Sequence, residues 1–108
     1  MIADDALPRL LAVDRLIHEP ARLSLMSCLY VVSEADFVFL QHETGLSPGN
    51  VSSHLSKLEA AGYVELEKRF EGRRPLTRVR LSPAGREAFA AYAETMAGVF
   101  GGWARQRG

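Results

Sequence analysis

The first thing this chain of 108 residues lacks is a second cysteine. Cys28 stands alone, so no intramolecular disulfide can form, and the cysteine pair of a metal or redox motif is missing. In apolar company a lone cysteine is expected to behave as a small buried hydrophobe. No apolar run reaches the roughly eighteen residues that a membrane helix needs. A basic-then-apolar leader is absent, and these absences together point to the cytoplasm and away from a membrane. Catalytic spacing is absent too. His42-Glu43 begins like a zinc-protease helix motif, but Leu46 stands four residues after His42, and His18-Glu19 leads in the same way to Arg22. Ser53 and His54 are neighbours, and on a helix neighbours point about 100° apart, so they form no nucleophile and base pair. The expectation is no enzyme, no metal and no cofactor.

Net charge is also zero, with thirteen Lys and Arg against thirteen Asp and Glu, but the balance is unevenly distributed. Residues 1–47 hold three Arg against seven acids, residues 48–82 seven Lys and Arg against four Glu, and residues 83–108 three Arg against two Glu. The middle of the chain is therefore basic and the amino-terminal half acidic, a polarity that would orient the molecule on a polyanion. At 47% hydrophobic and 24% charged, the composition suits one compact domain over residues 1–108.

The basic stretch opens with a helix over residues 47–61. Ser47 can cap it, Pro48 fits its first position, and Gly62 stops it. Val51, Leu55 and Leu58 recur at helical spacing and form an anchoring face. Opposite them fall Asn50, Ser53, His54 and Lys57, small or flexible donors and acceptors with one cation and no carboxylate, which suits a helix lying in the DNA major groove. Ser52 and Lys57 flank that face toward phosphates, and Pro48 and Gly49 bring the helix start close to the duplex. Upstream, Asp36 caps a shorter helix from Phe37 to about Thr44, with Phe37 and Leu40 inward, Val38 and Phe39 outward, and Gly45 at its end. Helix, glycine-containing turn and helix result.

Tyr63–Phe70 and Thr77–Leu81 alternate apolar and charged residues and read as half-buried strands. The tip between them, Glu71-Gly72-Arg73-Arg74-Pro75, cannot bury its two arginines. Glu65 and Glu67 can pair across this hairpin with Arg78 and Arg80. Lys68, Arg69, Arg73 and Arg74 have fewer acidic neighbours and are expected on phosphate or in the minor groove, with Arg78 beside them. The hairpin is the wing of a winged helix.

A helix from Pro20 to about Val32 presents Leu23, Met26, Leu29 and Tyr30 and reads as core. Ser82-Pro83 starts a long carboxy-terminal helix over 83–104 with Phe89, Tyr92, Met96, Val99, Phe100 and Trp103 along one stripe. Beyond Met96 that stripe would be bare unless another subunit covered it. Leu7, Leu10, Leu11, Leu16 and Ile17 supply a similar apolar surface near the amino terminus. The expectation is a homodimer held by both terminal helices, through Leu7, Leu10, Leu11, Tyr92, Met96, Val99, Phe100 and Trp103.

From Asp14-Arg15-Leu16-Ile17-His18-Glu19-Pro20-Ala21-Arg22-Leu23, through Gly45–Leu55 and Gly62-Tyr63-Val64, to Leu81-Ser82-Pro83-Ala84-Gly85-Arg86, the chain resembles the MarR- and ArsR-like winged helix-turn-helix transcriptional regulators. The resemblance implies a mainly α fold with a small β-hairpin (α+β) and a dimer on a pseudo-palindromic double-stranded DNA operator. Its two recognition helices would lie about 34 Å apart. Val38 and Phe39 depart from the family's more polar outer side, Thr44 from its usual apolar residue, and Pro48 from its usual acidic or polar one. Two other readings stand beside DNA binding: a protein-interaction module docking through Val38, Phe39 and the carboxy-terminal stripe, and a regulator gated by a small molecule that the sequence does not identify.

Overall fold

In the computed structural model, which describes the backbone of residues 5–107 and the side chains of residues 5–104, the starts of three helices follow one chemical rule. A capping side chain precedes a proline that needs no hydrogen-bond donor. Glu19 accepts the Arg22 N–H at 2.9 Å and starts α2 (Pro20–Val32), after the short amino-terminal α1 (Ala6–Leu11). Ser47 accepts the Asn50 N–H at 3.2 Å and starts α4 (Pro48–Ala60). Ser82 accepts the Gly85 N–H at 2.9 Å and starts α5 (Pro83–Arg107). Asp36 caps α3 (Phe37–Thr44) without a proline, accepting the Phe39 N–H at 2.8 Å.

Three antiparallel strands complete the architecture, β1 (Glu34–Asp36), β2 (Val64–Glu71) and β3 (Arg74–Leu81), in the spatial order β1-β3-β2. The hairpin strands run further toward the tip than their alternation suggests, leaving only Gly72 and Arg73 as the turn. Gly72, at φ 65°, supplies the positive φ that a two-residue hairpin turn demands. Strand β1 had no sequence signal, because three residues cannot display a period. It pairs Glu34 with Arg80, Ala35 with Val79 and Asp36 with Arg78.

The core lies where α2, α3 and α4 meet one face of this sheet, with α5 packed alongside. Ile17, Leu25, Met26, Leu29, Leu40, Val51, Leu55, Leu58, Val64, Val79 and Leu81 are buried in it. Each such aliphatic side chain contributes about 1.5–3 kcal/mol of burial. On α2 the inward stripe is Leu25, Met26 and Leu29. Leu23 is half-buried, and Tyr30, expected inside, is exposed and lies against Phe89 of α5 with the Arg86 guanidinium 4.9 Å above its ring. Ile17, expected on a terminal apolar surface, is fully buried in the core.

The terminal helices also revise one expectation. α1 folds back on α5, so Val99 is 0% exposed within a single chain, and Tyr92 is buried with its hydroxyl 2.7 Å from His18 Nδ1. Neither needs a partner to cover it, and neither belongs to a dimer surface. Gly98 allows the close approach, since a Cβ there would lie 3.1 Å from an Arg9 guanidinium nitrogen. Leu10, Met96 and Trp103 are half-buried, and Leu7, Leu11 and Phe100 remain exposed. No helix among the described residues is long and apolar enough to cross a membrane.

One junction ties the helical layer to the hairpin. Gly62, at φ 80°, ends α4 in a Schellman arrangement, with Tyr63 N–H bonded to Leu58 O and Gly62 N–H to Glu59 O, each at 2.9 Å. Ser82 N–H then donates to Tyr63 O at 3.0 Å, and the Ser82 hydroxyl donates to Gly62 O. The Tyr63 hydroxyl donates to Asp14, which with the accompanying burial pushes its phenol up to about 12. Gly85 sits beneath this crossing, where an added Cβ would lie 2.7 Å from Tyr63 C and closer still to its carbonyl oxygen. Backbone cannot retreat as a side chain can. Gly85→Ala is therefore expected to cost about 3 kcal/mol in urea unfolding, whereas Gly49→Ala, with open space at its Cβ, loses nothing comparable. Equal stabilities for the two variants would contradict this packing.

Candidate nucleic-acid interface

The outward face of α4 is set by what the opposite face buries. Val51, Leu55 and Leu58 are fully or almost fully buried, and this orients Asn50, Ser52, Ser53 and Lys57 into solvent, together with Pro48 and Gly49 at the helix start. No carboxylate interrupts this surface until Glu59 near the helix end. His54 departs from the expectation of a free base-contacting residue. It is half-buried, with Nδ1 3.2 Å from an Arg22 guanidinium nitrogen of α2.

On the wing, the strand alternation sorts the cations into two sets. Glu65 and Arg80 are paired in the β2–β3 register and ion-paired at 2.9 Å, as expected. Arg78, however, pairs with Glu34 at 3.2 Å rather than with Glu67, and Arg69 pairs with both Glu67 and Glu34, the latter at 3.4 Å. The physical reason is β1, which lays Glu34 beside β3 on the same face of the sheet. The Arg69 guanidinium holds Glu67 below the usual carboxylate range. Arg69 and Arg78, expected as free phosphate ligands, are thus already neutralised. Lys68, Arg73 and Arg74 are exposed and make no ion pair among the described residues. Lys68 lines a groove of about 310 Å³ with Ser52 and Ser56 of α4, so wing and helix present a joined surface.

A second concavity of about 630 Å³ lies between α2, α3 and α5, lined by His18, Glu19, Leu23, Cys28, Glu43 and Tyr92 among others. Cys28 is half-buried on its wall, not sealed in the core, and burial pushes its thiol up, with Glu43 adding to the effect. Among the described residues no group of three or more His, Cys, Asp or Glu side chains is placed to hold a metal.

Comparison with known proteins accounts for this arrangement of helices and hairpin. Residues 21–99 match the family model described as a winged helix DNA-binding domain. The chain belongs to that family. It is similar to an uncharacterized protein, MJ0432, of Methanocaldococcus jannaschii, with 31% identity over 78 residues, covering 72% of this chain and 85% of the relative. In structure it is similar to a transcriptional regulator homologue from Pyrococcus horikoshii, with a TM-score of 0.83, 28% identity, and coverage of 92% of this chain and 97% of that one. NadR in complex with 4-hydroxyphenylacetate shares the fold, with a TM-score of 0.70 at 17% identity over 96% of this chain and 71% of that one. So does a MarR family regulator from Silicibacter pomeroyi, with a TM-score of 0.64 at 21% identity over 89% of this chain and 62% of that one. The family model and the Pyrococcus horikoshii match support a transcriptional regulator, and the other two matches show the shared fold.

Two residues with a bearing on the surface escaped sequence reasoning. Glu34 lies on an unread strand, and Arg22 is thirty-two positions from His54, a separation no local pattern reports. The ion pairs of this winged helix make a definite claim about Arg78. Because Glu34 already neutralises it, Arg78→Ala is expected to leave the salt dependence of DNA binding unchanged and to cost less than about 1 kcal/mol of stability. A slope flattened by about 0.9 would return Arg78 to the phosphate-binding set.

Proposed function

We propose that this protein is a sequence-specific regulator that binds double-stranded DNA as a homodimer on a pseudo-palindromic operator and represses by occluding the promoter. The observation that carries the reading is the joined surface of α4 and wing. Asn50, Ser52, Ser53 and Lys57 project from a helix anchored by Val51, Leu55 and Leu58, beside Lys68, Arg73 and Arg74, which make no ion pair among the described residues. Asparagine and serine can meet base edges in the major groove, while exposed cations on a hairpin hold phosphate without reading sequence. The wing therefore contributes affinity and α4 contributes choice.

The dimer rests on a different surface. Leu7 is 49% exposed, Leu11 73% and Phe100 52%, and all three sit on the paired terminal helices away from α4. A second copy covering them would place two recognition helices on one duplex, about 34 Å apart. Sedimentation at micromolar concentration is expected to show a dimer, and Leu11→Glu with Phe100→Glu a monomer. A monomeric parent chain would remove the dimer from the proposal.

A small-molecule signal is favoured as a second reading by the cleft of about 630 Å³, where His18, Glu43 and Tyr92 bring polar groups together between the terminal helix and the helix-turn-helix. NadR, which shares this fold, holds 4-hydroxyphenylacetate. A ligand in such a cleft acts by binding one spacing of the recognition helices better than another.

The DNA reading is tested on the wing. Arg73→Ala with Arg74→Ala should weaken binding to every duplex and flatten the salt slope by up to about 0.9 for each lost phosphate contact, measured by fluorescence anisotropy across a salt series. A double variant with the parent's slope would take the wing out of the interface.

A further inference from the structure

We propose that Arg22 is a positioning residue for base selection, holding His54 on the recognition helix as a neutral ring whose remaining N–H is a hydrogen-bond donor toward DNA. The proposal rests on the DNA-binding reading given above and deepens it. Arg22 belongs to α2, not to the helix it acts on, and it is held from three sides. Its main-chain N–H donates to Glu19 Oε1 at 2.9 Å, its Nε donates to the Leu16 carbonyl, and a terminal guanidinium nitrogen lies 3.2 Å from His54 Nδ1. The cap fixes the start of the helix that carries Arg22, and the Leu16 bond fixes the guanidinium beside the imidazole.

The chemistry of that last contact leaves one protonation state. A guanidinium carries five donors, no acceptor, and stays charged. A hydrogen bond from it to Nδ1 needs the lone pair there, so the ring proton is on Nε2. Glu19 accepts the Arg22 N–H, which is the largest cause of its lowered pKa.

A ring held in this way can donate and cannot accept. In the major groove it can meet guanine O6 or N7, adenine N7 or thymine O4, and it finds no bond at cytosine N4 or adenine N6, which are donors. A ring free to exchange tautomers could meet either class. Arg22 thus restricts the bases His54 accepts without touching DNA itself.

The test uses the full chain and duplexes selected from a random library, with anisotropy on selected and random-sequence DNA. Arg22→Met keeps the aliphatic stem and removes the donors. It should lower the ratio of selected to random affinity about tenfold, within the range that one base contact supplies, while leaving random-sequence affinity and salt slope unchanged. His54→Ala should lower the ratio similarly, and the double variant no further. Nitrogen-15 spectra of the imidazole should show the Nε2–H tautomer in the parent chain and a mixture in Arg22→Met. An unchanged ratio in Arg22→Met, additive losses in the double variant, or a parent ring protonated on Nδ1 would overturn the proposal, and the last of these needs no variant to fold. A parent chain with no salt-sensitive DNA affinity would instead overturn the DNA reading, whatever tautomer the ring shows.

Discussion

The junction of Gly62, Tyr63, Ser82 and Gly85 is the constraint through which the other parts are placed. Here the recognition helix ends, the wing begins and returns, and the long terminal helix starts, all within a few hydrogen bonds. A left-handed glycine turns the chain out of α4, and Tyr63 reaches Asp14, whose other oxygen accepts the Leu16 and Ile17 N–H groups. A missing Cβ at Gly85 lets α5 lie against the Tyr63 backbone. The angle between α4 and the wing follows from this crossing, and with it the shape of the surface they share. A DNA-binding surface of two elements needs such a rigid corner, because a base contact misplaced by an ångström is lost.

Charge is arranged with the same economy. The chain is neutral as a whole, yet its acids are used to silence selected arginines. Glu34 and Glu65 hold Arg69, Arg78 and Arg80 on the outer face of the sheet, with Glu67 assisting at Arg69. What remains unpaired on the wing lies at its tip and beside α4. A count of positive residues would overstate the free positive charge. Among the described residues the pairing pattern leaves Lys57, Lys68, Arg73 and Arg74 without an ion pair, and partly exposed pairs of this kind contribute little to stability, so their main effect is on where the positive potential stands.

Much of this was legible in the sequence where a residue acts on its own neighbours. The cap and proline at Ser47-Pro48 and Ser82-Pro83, the Asp36 cap, the Gly62 stop and the Val51–Leu55–Leu58 stripe are local signals, and each predicts what the structure contains. What could not be read depends on distance along the chain. Strand β1 is too short for a period and exists because β3 offers it a partner. Glu34 consequently captures Arg69 and Arg78, and Arg22 captures His54, through contacts between separate elements. Val99 and Tyr92 lie on a stripe that looks bare until α1 folds over it and His18 lies beside it. Hydrophobic periodicity reports that a face must be covered, and not by what.

The central claim is that α4 and the wing form one DNA-facing surface. Backbone amide spectra of the full chain, titrated with a selected duplex, test it most directly. The account predicts perturbations concentrated over residues 47–57 and 68–74, with the exposed face of Val38 and Phe39 unmoved. Perturbations centred on that second face, or none at low salt, would contradict it and leave the winged helix as a module for docking another protein.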